Sequence, residues 1–534
     1  MQVRRWQVGV GGGLVLLMMW GCARTHLALD SQSAPAAGWA TGVVYHDRNG
    51  NAVRDAREPG VPHVCVSNGR EVVQTDASGR YRLPVDDDTI LFVIKPRGWR
   101  PVVDDNHISR GYYIHKPHGS PAFEYPGVPP TGPLPASVDF ALYPQDEPQR
   151  FRAIIMGDSQ VTNAKEVAYL AHDIIEELAG VEAAFGMTLG DLVNNNLAMY
   201  DDLIATVAQA GKTWYHVSGN HDENYDAPAD RQALETYQRH FGPPYYAFDY
   251  GPVHFLVLDD VVWEQKSPQR EKAGYYAGLG EKQMEFVRND LSGVPRDRLV
   301  VLTMHIPLRE LREAEREQLF ALLADRLHTL SLSGHYHHAL HDFLAAEQGW
   351  HSREPHHHMV VVTSCGCWWG GVPDEVGIPH ATMRDGVPNG YLIATFDGHK
   401  YSFEFKAARR PADYQMQIFA PERVARADAA GTEVVVNVFA GGPRSVVHMR
   451  VGDGGEWLTL QPARRPDPYY VRLKEAEKSA EYLQAHRLPK EVECLHLWAG
   501  HLPAGLPTGT TTIHVRTTDM FGQTYEARRV ITIE

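Results

Sequence analysis

Side chains that can bind metal ions or move protons recur along the middle of the chain, each directly after an apolar run. In chain order they are Asp158 and Gln160, then Asp191, then Asn220 with His221, then His305, and finally His335 and His337. Divalent and transition metals take carboxylate, amide and imidazole ligands from proteins. The set is larger than one ion requires, whereas two metals that share a bridging carboxylate would use it fully. These residues therefore predict a two-metal centre.

The apolar runs before these residues predict buried strands of an α/β domain. Runs such as "FRAIIMGD", "AAFGMTLGD" and "RLVVLTMH" are continuous rather than alternating, as in strands covered on both faces. Apolar residues at helical spacing over 163–179 predict a helix, capped by Thr162 or Asn163. Because open α/β sheets bind ligands at the carboxyl ends of their strands, we expect the polar side chains to meet at one edge. Glycines precede Asp191, Asn220 and His335, as sharp turns at strand ends require.

The chain length of 534 residues exceeds what one hydrophobic core usually supports. Short alternating runs with turn residues over 38–148 and 409–534 predict two small β-sandwich domains, and 149–408 carry the α/β pattern. Residues 472–486 read as a helical insertion in the C-terminal domain, and Asp397-Gly398 as a hairpin turn. The four cysteines after residue 22 show no repeated spacing, so we infer no disulfide framework; Cys365 and Cys367 read as buried small residues or as a thiol pair near a site.

Residues 1–22 resemble a bacterial export signal. Arg4 and Arg5 precede an apolar stretch that is short for a membrane span, and Gly21-Cys22 resembles the end of a lipoprotein signal. We therefore expect Cys22 to be lipidated, residues 23–37 to form a tether, and the protein to be periplasmic or at the cell surface, with a plain secretory signal as the alternative. The net charge of −15 would repel polyanions, so nucleic acid is not expected as a partner.

The five blocks together make residues 150–406 resemble the calcineurin-like metallophosphoesterases, a superfamily that also holds purple acid phosphatases and cyclic-nucleotide phosphodiesterases. The flanking regions resemble the prealbumin-like N-terminal domain and the C-terminal β domain of a secreted bacterial branch. The resemblance implies a fold class of α/β, with a four-layer α/β-sandwich core between two small β-sandwiches.

The resemblance also implies a ligand set. One metal would be held by Asp158, Gln160, Asp191 and His337, and the other by Asp191, Asn220, His305 and His335, with Asp191 as the bridge. His221 matches the histidine that faces the substrate. Two positions depart from the family pattern. Gln160 stands where a histidine is usual, and Asn194 or Asn195 stands where an Asp often supports the catalytic histidine, so His221 would lack a carboxylate partner or use Asp222 or Asp226.

The implied activity is hydrolysis of a small phosphorylated substrate by metal-activated hydroxide, with His221 and Asp191 as catalytic residues and Mn, Zn or Fe as the metals. Cleavage of diesters or pyrophosphates by the same fold is an alternative. A non-catalytic cell-surface binding protein on this fold is another. The sequence leaves the substrate and the oligomeric state open.

Other segments have two interpretations each. Asp47, Asn49, Asn51, Asp55 and Glu58 have the spacing of a calcium loop, or they form a polar turn, since Ala52 replaces the usual glycine. Trp368 and Trp369 line the substrate cleft or pack beneath a loop. Arg309 contacts substrate phosphate or is a surface charge. His356–His358 alternate faces on a strand, so we treat them as incidental.

Overall fold

The computed structural model describes residues 38–265, 273–479 and 486–534. The predicted signal, Cys22 and the tether lie outside the described residues. In the parts of the chain that are described, no helix is long and apolar enough to cross a membrane.

The N-terminal region is a pair of facing β-sheets. Its strands are β1 (Gly38–His46), β2 (Cys65–Ser67), β3 (Val72–Gln74), β4 (Arg80–Val85), β5 (Thr89–Val93), β6 (Trp99–Pro101), β7 (Tyr112–His115) and β8 (Phe140–Pro144). The sheet orders are β4-β1-β8-β6 and β3-β2-β5-β7. Val44, Val66 and Leu83 are fully buried between the sheets. In β4 exposed and buried residues alternate, as expected for a strand that has one face against the core and the other toward solvent.

The central region contains two larger sheets and most of the helices. The strands are β9 (Arg150–Met156), β10 (Phe185–Leu189), β11 (Trp214–Val217), β12 (Tyr246–Tyr250), β13 (Val253–Val257), β14 (Val261–Glu264), β15 (Gly274–Ala277), β16 (Leu299–Thr303), β17 (Thr329–Ser333), β18 (Leu340–Leu344), β19 (His356–Val360), β20 (Gly390–Asp397) and β21 (Lys400–Ala407). One sheet has the order β11-β10-β9-β20-β21 and the other β12-β13-β16-β17-β19-β18. Strands β9, β10 and β11 are parallel to one another, as are β13, β16, β17 and β19. Strands β14 and β15 form a separate hairpin.

Helices cover the outer faces of both sheets. They are α1 (Ala164–Leu170), which continues through a π-helical turn (Ala171–Ile175) into α2 (Glu176–Leu178), then α3 (Tyr200–Ala208), α4 (Glu235–Phe241), α5 (Gly280–Gly293) and α6 (Glu313–Leu323). Short 3₁₀ helices lie at Leu197–Met199, Asp230–Gln232, Leu308–Glu310 and Ala346–Gln348. The predicted helix over 163–179 is confirmed, and Asn163 is its cap because its side-chain oxygen accepts from the backbone N–H of Lys165 and Glu166.

Three apolar layers separate the two sheets and the two helical faces. Ile155, Val257 and Leu332 belong to the layer between the sheets. A second layer joins the β9 sheet to α1–α4, and a third joins the β13 sheet to α5 and α6. The order helix, sheet, sheet, helix is the four-layer α/β sandwich, so the predicted fold class is confirmed. It also explains the continuous apolar strands, since each sheet is covered on both faces.

The C-terminal region is a second β-sandwich. Its strands are β22 (Met416–Phe419), β23 (Arg423–Val424), β24 (Glu433–Val438), β25 (Val446–Val451), β26 (Leu458–Thr459), β27 (Gln461–Arg465), β28 (Cys494–His501), β29 (Gly509–Thr518) and β30 (Thr524–Ile533), with a 3₁₀ helix at Arg426–Gly431. The sheets have the orders β22-β24-β28-β27 and β23-β30-β29-β25-β26. Helix α7 (Pro468–Ser479) lies between β27 and β28, so the predicted helical insertion begins four residues earlier than expected.

The three histidines of β19 are buried and alternate between two environments. His356 and His358 both contact the hydroxyl of Ser331 in β17, at 2.7 Å each. His357 instead contacts the ring of His341 in β18 and the hydroxyl of Tyr401 in β21, at 2.9 Å each. This alternation agrees with the interpretation that the run is part of a strand whose successive side chains point to opposite faces.

A buried histidine joins the second sheet to helix α5. His254 Nδ1 lies 2.8 Å from Asp249 Oδ1, and its Nε2 lies 2.8 Å from Asp290 Oδ2. Burial alone lowers the pKa of His254, but the two carboxylates outweigh this effect and raise the pKa to about 9.

We expect this histidine to make stability depend on pH. Its pKa in the unfolded chain is about 6.5, so its stabilising contribution is complete below that pH and is lost as the pH rises toward 9. The melting temperature of the wild type should therefore exceed that of His254→Gln by more at pH 6 than at pH 9.5. A difference that stays equal at both pH values would contradict this assignment.

Candidate metal centre

The predicted ligands follow the carboxyl ends of five parallel strands, and the structure brings these ends together. Asp158 comes two residues after β9, and Asp191 comes two after β10. Asn220 follows β11, whereas His305 and His335 follow β16 and β17 of the other sheet. The site therefore lies where the edges of both sheets meet, as expected for ligands at strand ends.

One group of donor atoms surrounds the carboxylate of Asp191. Asp191 Oδ2 lies 3.2 Å from His305 Nε2. The same His305 nitrogen lies 3.1 Å from Asn220 Oδ1 and 3.1 Å from His335 Nδ1. Ligand atoms that each lie about 2 Å from one metal ion are about 3 Å apart, so these spacings fit one coordination sphere. Asp191, His305 and His335 form a group whose ligand atoms all lie within 4.8 Å of one another.

A second group of donor atoms is formed by Asp158 and His337. His337 Nε2 is 3.3 Å from Asp158 Oδ2. Gln160 stands between the two groups, because its Nε2 donates to Asp191 Oδ2 at 3.2 Å while its Oε1 accepts from Cys365 Sγ at 3.7 Å. Cys365 Sγ also lies 3.9 Å from His337 Nδ1, so Gln160 and Cys365 connect the Asp191 carboxylate to the surroundings of His337. The residues fit a pair of metal ions in donor chemistry and in spacing.

The backbone at these ligands is strained. Gln160, Asp191, His335 and His337 all have positive φ, at 41°, 48°, 72° and 51°. Such conformations cost non-glycine residues roughly 1–3 kcal/mol each and persist where the surrounding structure enforces them. They turn the side chains sharply off the strand ends toward a common point.

Two glycines let the backbones at the site approach each other, as predicted for the strand-end turns. A Cβ on Gly334 would lie 2.2 Å from Asp158 Oδ1, and a Cβ on Gly219 would lie 2.2 Å from Asp191 N. Any larger residue at either position would displace Asp158 or Asp191.

The Asp191 carboxyl is ionised in this environment. Burial raises its pKa, but His305 and His221 outweigh that effect and hold the pKa well below its usual range. Asp191 is therefore a carboxylate at neutral pH, which is the state that can bridge two cations.

His221 lies at the opening of the site, with 23% of its side chain exposed. Its backbone N–H donates to Asp191 Oδ1 at 2.8 Å, and its Nε2 is 3.9 Å from Asp191 Oδ2. Its Nδ1 contacts Asn195 Oδ1 at 2.6 Å. Of the partners considered for His221, Asn195 is the one in contact. The amide oxygen fixes the ring with a proton on Nδ1, which leaves Nε2 directed at the site.

Two carboxylates considered for His221 are engaged elsewhere. Asp222 accepts from the backbone N–H of Leu192 and Gly219 and from the hydroxyl of Tyr200. Asp226 accepts from the backbone N–H of Glu124. Asp222 therefore braces the loop that carries Asp191.

The two tryptophans of the 365–369 loop differ in position. Trp369 is 2% exposed, and its Nε1 donates to the carbonyl of Ser159 at 3.0 Å, so it packs beneath the site. Trp368 stacks on the ring of His337 with the ring centroids 4.1 Å apart. Arg309 makes two hydrogen bonds to Asp342, at 2.9 and 2.8 Å. A substrate contact by these residues stays a prediction.

The proposed calcium loop is closed by its own hydrogen bonds. Asp47 accepts from the backbone N–H of Gly50 and Ala52 at 2.7 Å each. Asn49 and Asn51 donate to Asp55, and Glu58 accepts from Arg48 and Asp55 backbone N–H groups. The structure thus shows the polar turn that the sequence offered as the alternative, and calcium binding there stays a prediction.

Three residues near the site were missed by sequence reasoning. Tyr225 is 43% exposed, stacks on Trp263, and donates its hydroxyl to the carbonyl of Asn220 at 2.9 Å. Tyr275 meets the ring of His335 edge-on at 6.1 Å. Asp260 accepts from His305 N at 3.1 Å and so fixes the start of that loop. Asp260 ends the run "VHFLVLDD", which is the same strand-end signal that identified the other carboxylates.

One solved structure shows a distant likeness. Purple acid phosphatase PPD1 from yellow lupin (Lupinus luteus) seeds is 15% identical to the chain, with a TM-score of 0.36, and the match covers 70% of this chain and 72% of that one. No match to the chain was found among curated proteins.

Family models match the chain in three segments. Residues 151–339 match the calcineurin-like phosphoesterase model, residues 47–125 match the model of the N terminal of calcineurin-like phosphoesterase, and residues 358–525 match that of its C terminal. The first segment holds the predicted ligands. The chain is accordingly a calcineurin-like phosphoesterase with the N- and C-terminal flanking regions of that family.

Proposed function

We propose that this protein hydrolyses phosphate esters at a two-metal centre. The observation that carries the proposal is two groups of donor atoms, one around Asp191 and one formed by Asp158 and His337, in which neighbouring donor atoms are 3.1–3.3 Å apart. Bound metal ions would supply an activated water and neutralise the oxygens of the phosphate group.

The residues have separate roles in this proposal. Asp158, Gln160 and His337 would hold one metal, whereas Asn220, His305 and His335 would hold the other, and Asp191 would bridge them. His221 is exposed enough to meet a substrate, and its Nε2 is free of the Asn195 contact. It would hold the phosphate group and give a proton to the leaving oxygen.

The donor set favours Mn, Zn or Fe over a purely oxygen-bound ion, because three of the ligands are imidazoles. Cys365 lies near Gln160 and His337, but burial raises the pKa of its thiol well above the usual value. It would therefore remain a neutral thiol and leave the coordination to oxygen and nitrogen atoms.

The scissile bond can be that of a monoester, a diester or a pyrophosphate. Rates with matched aryl monoester and diester substrates would separate the first two, and inorganic pyrophosphate would test the third. Metal analysis tests the non-catalytic alternative, since a binding protein that only keeps the fold would purify without two metal equivalents.

We also propose, from the N-terminal sequence, that the enzyme is exported from the cytoplasm and attached to a membrane by a lipid anchor.

Replacement of the bridging carboxylate should abolish activity. Asp191→Ala removes the carboxylate that would bridge the two metals, so we expect loss of bound metal and a fall in turnover to background. Metal content and phosphate release report the two effects. Asp202→Ala, an exposed aspartate in α3, is the matched control and should behave as the wild type. Normal phosphate release by Asp191→Ala would refute the proposed mechanism.

Replacement of His221 should separate catalysis from metal binding. We expect His221→Ala to keep the metal content of the wild type and to lose rate by roughly 10²–10⁴-fold, the usual contribution of a positioned proton donor. His172→Ala, at an exposed histidine of the helical segment after α1, serves as the control. A His221→Ala protein with full turnover would show that the leaving group needs no proton from this side chain.

Replacement of Gln160 should tighten metal binding. An imidazole is a stronger ligand than an amide oxygen, so Gln160→His should raise the affinity for the metal held with Asp158 and His337 by on the order of tenfold. Calorimetric titration with Zn²⁺ measures the change, and Gln209→His on the exposed side of the chain after α3 is the control. Unchanged affinity would place residue 160 outside the coordination sphere.

A further inference from the structure

A group of buried polar side chains joins the C-terminal sandwich to the loop that carries His335 and His337. We call this group the interdomain cluster; its members are Asp385, Asn437, Asp467 and His496, each at most 1% exposed. Asp385 belongs to the segment before β20, whereas the other three come from β24, the turn before α7, and β28. None of the four is among the metal ligands described above.

The segment at Asp385 holds the backbone that follows His337. Arg384 N donates to the carbonyl of His337 at 2.9 Å. Asp385 Oδ2 accepts from Ala339 N at 2.6 Å. The peptide groups that lead away from this ligand are therefore fixed by two neighbouring residues.

Asp385 is in turn fixed by the C-terminal sandwich. His496 Nε2 lies 2.9 Å from Asp385 Oδ2, and its Nδ1 lies 2.8 Å from Asn437 Oδ1. Asn437 Nδ2 donates to the carbonyl of Asp385 at 2.9 Å. The carboxylate and the backbone of Asp385 are thus both held by strands of the other domain. Buried networks of this kind are rigid when every member has a partner.

The backbone next to Asp385 packs closely against Asp467. Gly386 has a φ of 85°, and a Cβ at this position would lie 2.2 Å from Asp467 Cγ. The Asp467 carboxylate accepts three hydrogen bonds, from Asn437 Nδ2 at 2.9 Å and from the backbone N–H groups of Tyr469 and Tyr470 at 2.8 Å each.

A second path from the C-terminal sandwich also reaches His337. The hydroxyl of Tyr470 in α7 contacts Cys367 Sγ at 3.6 Å. Cys367 lies in the loop whose Gly366 carbonyl accepts from His337 Nδ1, and whose Trp368 stacks on the His337 ring. Both paths therefore converge on one metal ligand.

We propose that the C-terminal domain positions His337, and that His496 is the positioning residue through which it does so. Its effect would be on the metal site formed by Asp158 and His337. In the other proposed site, His305 is held by Asp260 and the carbonyl of Leu189, and His335 N donates to Asp158, all within the central domain. This inference rests on the proposed function, because it assigns a role in a metal centre. The competing view is that the cluster only joins the two domains.

Zn²⁺ titration of the full-length chain tests the proposal. His337→Ala and His305→Ala first identify which binding step belongs to which site. We then expect His496→Ala to weaken the step assigned to His337 by about 10–100-fold, the usual effect of removing a group that orients a metal ligand. The other step should change by less than about twofold. His496→Gln, which keeps a hydrogen-bond donor toward Asp385, should recover part of the loss.

A matched control and the melting curve distinguish positioning from simple loss of stability. His514→Ala, at a partly exposed histidine of β29 in the same domain, should leave both steps unchanged. Equal weakening of both steps by His496→Ala, or no weakening in a variant that melts as the wild type does, would overturn the inference. If His496→Ala does not fold, His496→Gln decides the question. We then expect His496→Gln to weaken only the Zn²⁺ binding step assigned to His337, and an unchanged titration would overturn the inference. A wild type that binds no Zn²⁺ would instead refute the proposed function itself.

Discussion

The site depends on one electrostatic requirement, which is that buried carboxylates be balanced by positive charge. Asp158 and Asp191 are each at most 2% exposed, and water therefore cannot stabilise their charge. Burial alone would raise the pKa of Asp191, and the nearby histidines reverse this effect. Bound cations would complete the balance. The convergence of two sheet edges makes this concentration of charge possible, because it brings side chains from both sheets to one carboxylate.

That requirement accounts for several otherwise costly features of the surrounding structure. Left-handed backbone at four ligands and close packing against Gly219 and Gly334 aim the side chains inward. Asp260 and Asp222 then hold the loops of His305 and Asp191 through backbone N–H groups. Strain at the ligands is thus balanced by hydrogen bonds one layer further out.

The residues that meet at the candidate site could be predicted from the sequence because each of them has a local signal. Asp158 and Asp191 follow continuous apolar runs, and a strand end is recognisable within a few residues. The helix after Asn163 was predictable for the same reason. The contact between Asp385 and His496 was not, since these residues are 111 positions apart and neither lies in a distinctive pattern. Asp260 had the same strand-end signal, and its role emerged only from its contact with His305. The positions of the two tryptophans could not be predicted either, because adjacent residues of the same type look alike in the sequence. The structure distinguishes Trp369, which is buried beneath the loop, from Trp368, which stacks on His337.

The two departures from the family pattern have a common physical consequence. Gln160 and Asn195 both place a neutral amide where a more basic or a charged group is usual, and both lie next to the Asp191 region. Gln160 donates to Asp191 Oδ2, and Asn195 contacts His221, whose own backbone N–H donates to Asp191 Oδ1. An amide satisfies its neighbour by a hydrogen bond without adding charge. Each amide therefore makes a hydrogen bond at its position and adds no charge of its own to the region around Asp191. The negative charge of the Asp191 carboxylate is accordingly balanced by the neighbouring histidines and not by these two side chains.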